Sequence, residues 1–238
     1  MSNVIFDLGF HNGDDTDYYL KKGYKVIAID ANPRLVSEGK IRFDKEIQEG
    51  TLTLLQRCFY SDTSCVEFYL HPTKDDWSSC NKIKVEWDGS SSKKILIDGV
   101  TLQSLYKLAH PFYIKTDIEG NDSLLVQQLL GIPQELRPKY VSVELSRFDY
   151  YEIFSYLHVA GYNRFQLVNQ ANNENKIDEK INYKFSKYSS GLFGVDLPRH
   201  KWGTIDTVLT NYMKYKELKG IDNQELALGW VDLHATII

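Results

Sequence analysis

Three acidic side chains each close a short apolar run, and their positions could support chemistry at a shared site. Asp30, Asp117 and Glu144 end runs whose length and composition are typical of buried strands. Because the carboxyl ends of parallel strands lie at one edge of a sheet, we expect these carboxylates to converge. A single acid after a strand is usually a helix cap or a turn former, but three are harder to explain that way. Carboxylates at such an edge can bind hydroxyl groups, hold a cation or accept a proton.

The first thirty residues have the order of a nucleotide-binding βαβ unit. An apolar run leads into Asp7, Gly9 and Gly13, a helical pattern follows, and a second apolar run ends in Asp30. Glycine at such a turn takes backbone conformations closed to other residues and lets a ligand approach the main chain. Asp30 is then placed to accept hydrogen bonds from the two hydroxyls of a ribose.

The spacing of the glycines separates the ligands that such a unit could bind. A dinucleotide-binding turn needs G-x-G-x-x-G, whereas this chain has D-x-G-x-x-x-G. The next helix opens with Asp14, Asp15 and Asp17, whose carboxylates would repel a pyrophosphate. They suit the cationic ammonium and sulfonium of S-adenosylmethionine (SAM). The alternative is that these aspartates only cap the helix and favour its dipole. The whole unit resembles motif I of a SAM-dependent methyltransferase.

Residues near the strand ends form the predicted cofactor site. Phe59 follows the third apolar run and could stack on adenine, while Ser61 or Asp62 could receive its amino group. An ordinary turn is the alternative for these three residues. The complete predicted set is Asp7, Gly9, His11, Asn12, Gly13, Asp30, Asn32, Phe59, Ser61, Asp62 and Asp117.

Composition narrows the class of protein. A chain of 238 residues can bury a substantial core, and its formal net charge of −4 with scattered Lys and Arg argues against a nucleic-acid partner. No apolar run is long enough to span a membrane, and the first strand leaves no room for a signal peptide. The cysteines lack a CxxC pair, which argues against a zinc site or a disulfide framework. We therefore expect a cytoplasmic protein with reduced thiols; the sequence does not indicate its oligomeric state.

Alternating apolar segments between helical patterns predict a doubly wound α/β sheet. Pro33–Glu49 is predicted as one helix that begins with proline, and the polar stretch 73–92 as a surface excursion within one domain. Trp230–Ile237 is predicted as an antiparallel seventh strand that brings Asp232 and His234 near the cofactor, with 181–185 as the alternative.

Two segments in the last third of the chain are predicted to be mobile. Gln170–Lys187 is rich in Asn, Glu and Lys, which is typical of a solvated loop. Ser189–Pro198 contains Gly191, Gly194 and a proline, and this composition suits a lid over the acceptor.

Together these motifs resemble the FkbM-type SAM-dependent methyltransferases. The family's usual K-x-D-x-E-G pattern is matched by Lys115, Asp117, Glu119 and Gly120. Segments around the first glycine turn and Asp30 also match, and 189–198 and 230–235 are similar to tail segments of one branch. One departure is Asp30, where the family often has Glu, so the geometry toward a ribose differs.

The resemblance implies a single domain over residues 1–238 with a doubly wound, seven-stranded class I (Rossmann-like) methyltransferase sheet. It implies a polar insertion near 73–92 and a C-terminal elaboration of acceptor loop and helix. It also implies SAM as cofactor and methyl transfer to a hydroxyl of a small-molecule or glycan acceptor, with a sugar favoured. The predicted catalytic residues are Asp117, Glu119, Glu144 and His234, with Asp117 as the first choice of base and Glu144 as its partner.

Three alternatives remain open from sequence alone. A divalent metal could bind Asp117 and Glu144, as in catechol-type O-methyltransferases, but the Asp-Asn pair of those sites is replaced here by Leu145-Ser146. The same sheet could belong to a nucleotide-sugar or NAD-dependent enzyme, whose glycine triplet is missing. The third alternative is a catalytically silent, methyltransferase-like binding module.

Overall fold

The computed structural model describes residues 2–146, 148–219 and 230–237. A seven-stranded sheet lies at its centre, in the order β3-β2-β1-β7-β8-β12-β9, and β12 runs antiparallel to both neighbours. The strands are β1 (Val4–Leu8), β2 (Lys25–Asp30), β3 (Leu52–Gln56), β4 (Cys58–Phe59), β5 (Cys65–Leu70), β6 (Lys93–Val100), β7 (Tyr113–Thr116), β8 (Tyr140–Glu144), β9 (Arg164–Asn169), β10 (Ile177–Asp178), β11 (Tyr183–Lys184) and β12 (Val231–Thr236).

Helices cover both faces of this sheet. The α-helices are α1 (Asp14–Lys21), α2 (Pro33–Arg42), α3 (Asp44–Gln48), α4 (Lys82–Val85), α5 (Leu102–Tyr106), α6 (Ser123–Leu129), α7 (Tyr150–Val159) and α8 (Ile205–Lys219). Short 3₁₀ turns lie at Asp75–Trp77, Gln134–Leu136, Gln170–Asn172, Gly194–Asp196 and Arg199–Lys201. None of the described helices is long and apolar enough to cross a membrane.

The two faces of the sheet differ in character. Helices α5 to α8 pack on one face through an apolar core that includes Leu125, Phe154 and Leu233. Helices α1 and α2 cover the other face, where the core is rich in aromatic rings such as Tyr19 and Phe193.

A row of polar side chains crosses this second face in the middle of the sheet. Strand register places Asp7, Lys115, Ser142, His234 and Gln166 next to one another on five adjacent strands. Each of them is at most 4% exposed. Buried polar groups are costly unless they are paired, so a row of them in a sheet interior points to a role beyond packing.

The predicted antiparallel seventh strand is confirmed. Strand β12 lies between β8 and β9, with Asp232 opposite Glu144 and His234 opposite Ser142. The alternative at 181–185 is wrong, because that segment contributes β11 to a separate two-stranded hairpin with β10.

The single helix predicted over Pro33–Glu49 is broken into α2 and α3 at Phe43. Phe43 has φ −112° and ψ 29°, outside the helical region, and its buried ring packs edge-on against Phe10 at 6.0 Å. Burial of this ring therefore overrides the helical pattern of the sequence.

The polar stretch 73–92, called the insertion below, is more than a surface excursion. The insertion connects β5 to β6, which belong to a small three-stranded sheet of order β4-β6-β5. From there it crosses the edge of the main sheet. At one end the Asp75 carboxylate accepts hydrogen bonds from Asn32 and Arg34. At the other end Ser79 Oγ donates to the Glu119 carbonyl at 2.8 Å.

The segments predicted to be mobile are anchored in the structure. In the hairpin, buried Asp178 accepts a hydrogen bond from Tyr18 and pairs with Lys22. Ser190 donates its backbone N–H to Asp15 at 2.8 Å, and the Phe193 ring stacks in the aromatic core. Buried aromatic and hydrogen-bonded residues anchor Ser189–Pro198 in this structure, and its closure over the acceptor stays a prediction.

Candidate active site

A cleft of about 330 Å³ opens at the carboxyl ends of β1, β2, β7 and β8. One end is apolar and is lined by Ile29, Ala31, Leu35, Phe59 and Phe68. The other end is acidic and is lined by Asp117, Glu119 and Glu144, with Tyr188 and Trp230 as partly exposed aromatic residues of the cleft.

The turn after β1 is built around Gly9. Its φ of +95° is a conformation that other residues rarely adopt, and a Cβ there would lie 1.9 Å from the Asp117 carbonyl oxygen. The glycine turn and the loop after β7 therefore touch backbone to backbone. A side chain at this position would push the two loops apart.

Asp30 shapes the same turn from β2. Its two carboxylate oxygens accept hydrogen bonds from the backbone N–H groups of His11 and Asn32, both at 2.8 Å. His11 is thereby held at a positive φ of 49°. Burial raises the pKa of Asp30, and these two hydrogen bonds oppose the rise. Each carboxylate oxygen keeps a second lone pair, so Asp30 can also accept a ligand hydroxyl.

Lys115 lies at the centre of a buried cluster of acids. Its Nζ is 3.8 Å from Asp7, 3.4 Å from Asp15 and 3.6 Å from Asp117, and it is 4% exposed. Burial alone would lower the pKa of Lys115, but the surrounding carboxylates, Asp117 first, raise it well above its usual value. One ammonium thus faces three carboxylates, which leaves the site attractive to a further cation.

Asp7 is the most deeply buried acid of this cluster. Burial raises the pKa of Asp7 from 3.8 to about 7, with Lys115 opposing the rise and Asp15 adding to it. In the folded state Asp7 therefore binds a proton between pH 4 and 7 that it lacks in the unfolded state. Its contribution to stability is present at low pH and is lost as the pH rises through 7.

We expect Asp7→Asn to gain stability relative to the unmodified protein as the pH rises from 5 to 8. Asparagine stays neutral throughout, whereas the buried carboxyl must ionise. Urea unfolding of both proteins across this range measures the difference. Asp62→Asn, at an exposed carboxyl, is the control and should show no trend. A constant difference for Asp7→Asn would contradict the raised pKa.

Three acids meet at the rim of the cleft. Carboxylate oxygens of Asp117, Glu119 and Glu144 lie within 4.8 Å of one another. Burial first and then the Asp117 charge raise the pKa of Glu144 well above its usual value. Burial raises the pKa of Glu119 to about 7, although Lys84 of the insertion pairs with it at 2.6 Å. Of the three strand-end acids predicted to converge, Asp117 and Glu144 lie in this cluster, whereas Asp30 lines the same cleft without belonging to it.

Most of the predicted site residues border the cleft. Those that line it are Gly9, His11, Asn12, Asp30, Asn32, Phe59, Asp117, Glu119 and Glu144. Asp7 and Gly13 lie outside the lining: Asp7 is buried beside Lys115, and Gly13 packs against Phe10 at the start of α1.

Ser61 and Asp62 are placed elsewhere. They follow β4 as exposed turn residues outside the cleft lining, and Asp62 accepts hydrogen bonds from Ser64. Here the alternative of an ordinary turn is the one that the structure supports, because β4 carries the chain away from the cleft to pair with β6.

His234 also does not line the cleft. It lies two residues deeper in β12 than Asp232, where burial lowers its pKa to about 3 and keeps the ring neutral. Neither ring nitrogen has a hydrogen-bond partner among the described residues. Asp232, opposite Glu144, is nearer the rim, and burial followed by the Asp117 charge raises its pKa.

Several residues of the cleft were missed from the sequence. They are Lys115, Gln170, Tyr188 and Trp230, together with Asp75, Asp76, Trp77, Ser78 and Cys80 of the insertion. Lys115 had a signal in the K-x-D-x-E-G pattern, and Trp230 begins one of the tail segments that are similar to the family. Asp15, which also lines the cleft, is one of the α1 acids that were expected to suit the SAM cation. The insertion residues carry no motif, and their place depends on how the chain crosses the sheet.

The strand order, the antiparallel β12 and the glycine turn beneath an acidic rim define a class I methyltransferase. The chain belongs to the FkbM methyltransferase family, because the family model described as "Methyltransferase FkbM domain" matches residues 7–164. This places the chain in a family of SAM-dependent methyltransferases. None of the curated protein sequences compared with this chain matches it.

Solved structures similar to this chain include a methyltransferase FkbM from Methylobacillus flagellatus KT, with 17% identity and a TM-score of 0.49 over 70% of this chain. The match covers 40% of that longer protein. A SAM-dependent O-methyltransferase from Thermotoga maritima matches 99% of this chain and 59% of its own, with 7% identity and a TM-score of 0.40. A precorrin-6y C5,15-methyltransferase from Geobacter metallireducens matches 99% and 79%, with 10% identity and a TM-score of 0.41.

Proposed function

We propose that this methyltransferase transfers a methyl group from SAM to a hydroxyl oxygen of a small polar acceptor, with a sugar or glycan favoured. The observation that carries the proposal is the pair Asp117 and Glu144 at the rim of the cofactor cleft. A hydroxyl, unlike a neutral amine, must lose its proton to complete methyl transfer, and two close carboxylates provide a base.

The cleft fits SAM in three respects. Its apolar end suits a flat adenine, with Phe59 as a wall. Asp30 keeps lone pairs for the ribose hydroxyls, and the acids around Lys115 complement the positive charge of the methionine part. When bound, SAM supplies the electrophilic methyl group of the reaction. Gly9 lets the turn after β1 lie directly against Asp117, since any side chain there would overlap the Asp117 backbone.

The two carboxyls of the acidic rim, Asp117 and Glu144, would have different roles. Burial and the Asp117 charge raise the pKa of Glu144, so Glu144 takes up a proton more readily than a free carboxyl and is the acid with which Asp117 shares it. Asp117 remains the acceptor, with the Lys115 ammonium 3.6 Å away, and takes the proton of the acceptor hydroxyl. The remaining work is to position the hydroxyl in line with the methyl group.

Tyr188 and Trp230 support a carbohydrate acceptor. They are 47% and 44% exposed, yet both line the cleft. Half-exposed aromatic rings offer flat apolar faces on which the C–H face of a sugar ring can stack. Tyr188 is steadied by the edge-on ring of His11 at 5.4 Å.

A metal is not assigned to the rim. The carboxylates of Asp117, Glu119 and Glu144 are close enough to hold Mg²⁺, but Lys84 Nζ already supplies positive charge at 2.6 Å from Glu119. Magnesium would use two of these carboxylates and complete its octahedral shell with water or acceptor oxygens. Sensitivity to a chelator distinguishes the two arrangements.

The proposal is tested with SAM labelled in its methyl group and a panel of sugars, glycans and amines. We expect label to enter hydroxyl acceptors as methyl ethers, each with a mass gain of one CH₂, and to persist with EDTA present. Transfer only to amines would contradict O-methylation. SAM binding by calorimetry without transfer to any acceptor would instead indicate a silent binding module.

Asp30→Ala is expected to weaken SAM binding by about 1–3 kcal/mol. The change removes the acceptor for the ribose and leaves the backbone N–H groups of His11 and Asn32 without their partner. Calorimetric titration with SAM measures the loss, and Asp62→Ala is the control outside the cleft. Unchanged affinity in Asp30→Ala would contradict the ribose assignment.

A further inference from the structure

The thiols of Cys58 and Cys80 meet at the wall of the cleft. Their Sγ atoms are 2.9 Å apart, although 22 positions separate the residues. Both are free cysteines and both line the cleft. A modest movement would bring the sulfur atoms to the length of a disulfide bond, about 2.05 Å.

The two cysteines come from different parts of the cleft wall. Cys58 begins β4 on the main body, beside Asp30, and is 5% exposed. Cys80 belongs to the insertion and directly follows Ser79, whose hydroxyl holds the Glu119 carbonyl. A bond between them would therefore join the insertion covalently to the body at the cofactor end of the cleft.

The chemistry of the pair is asymmetric. A hydrogen bond from Cys58 lowers the pKa of Cys80, whereas the hydrogen bond with Cys80 and burial raise the pKa of Cys58. Cys80 is also the more exposed of the two. The thiolate is the reactive form of cysteine, so Cys80 is the one that meets an oxidant first and Cys58 is the one that resolves it.

We propose that Cys58 and Cys80 form a reversible redox site that fastens the insertion over the cofactor end of the cleft when oxidised. With hydrogen peroxide, the Cys80 thiolate attacks an oxygen and breaks the O–O bond, which gives a sulfenic acid and, after protonation, one water. Cys58 sulfur then displaces the sulfenic hydroxyl as a second water, and the disulfide forms. A dithiol reverses the reaction by thiol–disulfide exchange.

The consequence for the cofactor rests on the proposed function. Trp77, Ser78 and Cys80 form the insertion side of the cleft, and fixing them restricts the movement by which SAM would enter or leave. The oxidised protein should bind and release SAM more slowly than the reduced protein. Slower exchange of a cofactor limits turnover without any change in the acidic rim.

Peroxide treatment of the full chain followed by peptide mass spectrometry tests the site directly. We expect a dithiol-sensitive peptide linking Cys58 to Cys80, while Cys65 remains free to react with an alkylating agent. We also expect a higher melting temperature, since the bond closes a long loop. Cys80→Ser should lack both effects and Cys65→Ser should keep them. Linkage through Cys65, or oxidation of Cys80 without linkage, would overturn the proposal.

Stopped-flow measurement of SAM release tests whether the disulfide slows exchange of the cofactor. We expect release about tenfold slower from the oxidised protein, a factor that corresponds to about 1.4 kcal/mol in the barrier. Equal release rates from the oxidised and the reduced protein would overturn the proposed effect on cofactor exchange. Failure of the reduced protein to bind SAM would count against the proposed function, whereas the peptide map would still decide the redox site.

Discussion

Replacing Asp117 with Asn is expected to lower methyl-transfer turnover about a hundredfold or more, the usual size of a general-base contribution. The amide keeps the shape of the side chain but cannot accept the proton of the acceptor hydroxyl. SAM affinity should stay nearly intact, because Asp7 and Asp15 remain beside Lys115 to complement the cationic methionine part. Single-turnover kinetics with saturating SAM separates the chemical step from binding.

The companion change Glu144→Gln tests whether Glu144 acts as a protonated partner of Asp117 or as an ionised carboxylate. Gln mimics the protonated acid that the raised pKa of Glu144 implies, so turnover at neutral pH should fall less than in Asp117→Asn. The limb of the pH–rate profile that belongs to Glu144 should disappear. Asp62→Asn is the matched control and should turn over normally. If Asp117→Asn abolishes SAM binding while Glu144→Gln turns over normally, Asp117 belongs to the cofactor.

Lys115→Met should lower the free energy of unfolding by about 3–5 kcal/mol, the range for removing one partner of a buried ion pair. Methionine fills similar space, but it leaves the buried acids Asp7 and Asp15 and the rim acid Asp117 without their ammonium. Urea unfolding at neutral pH measures the loss. The effect should shrink as the pH falls, because protonated acids no longer need the cation.

Two further variants test the cause of that loss. Lys21→Met removes a lysine that pairs with Asp17 from a position where its side chain is 59% exposed, and should cost less than about 0.5 kcal/mol. Adding Asp7→Asn to Lys115→Met removes one of the stranded charges and should restore part of the stability. An additive double variant would show that Lys115 does not hold Asp7.

The sequence was sufficient for the sheet and for the acids at its edge. Asp30, Asp117 and Glu144 could be assigned to one rim because parallel strands place their carboxyl ends together, whatever the details of packing. The antiparallel seventh strand was also predicted, and the structure adds that it pairs with β8 and has Asp232 opposite Glu144. These features depend on strand polarity and periodicity, which sequence patterns report well.

Features that depend on long-range packing could not be predicted. The insertion looks like a solvated excursion, yet Asp75 and Lys84 tie it across the cleft through partners far along the chain. The glycines of 189–198 are typical of a lid, and nothing in the sequence indicated that Phe193 of this segment stacks on Tyr113 in the aromatic core. Asp232 and His234 were both expected near the cofactor, but His234 lies two residues deeper in β12 than Asp232, which is opposite Glu144.

The polar row across the sheet also limits the order in which this chain can fold. Its members run from Asp7 to His234, so they meet only after strands distant in sequence have paired. His234 of β12 lies between Ser142 of β8 and Gln166 of β9. Until β12 is inserted, the edges of β8 and β9 are unpaired and these polar side chains are open to water. Pairings between such distant segments slow folding. During synthesis β8 and β9 are made before β12, so their unpaired edges are available for pairing with other chains until β12 is inserted.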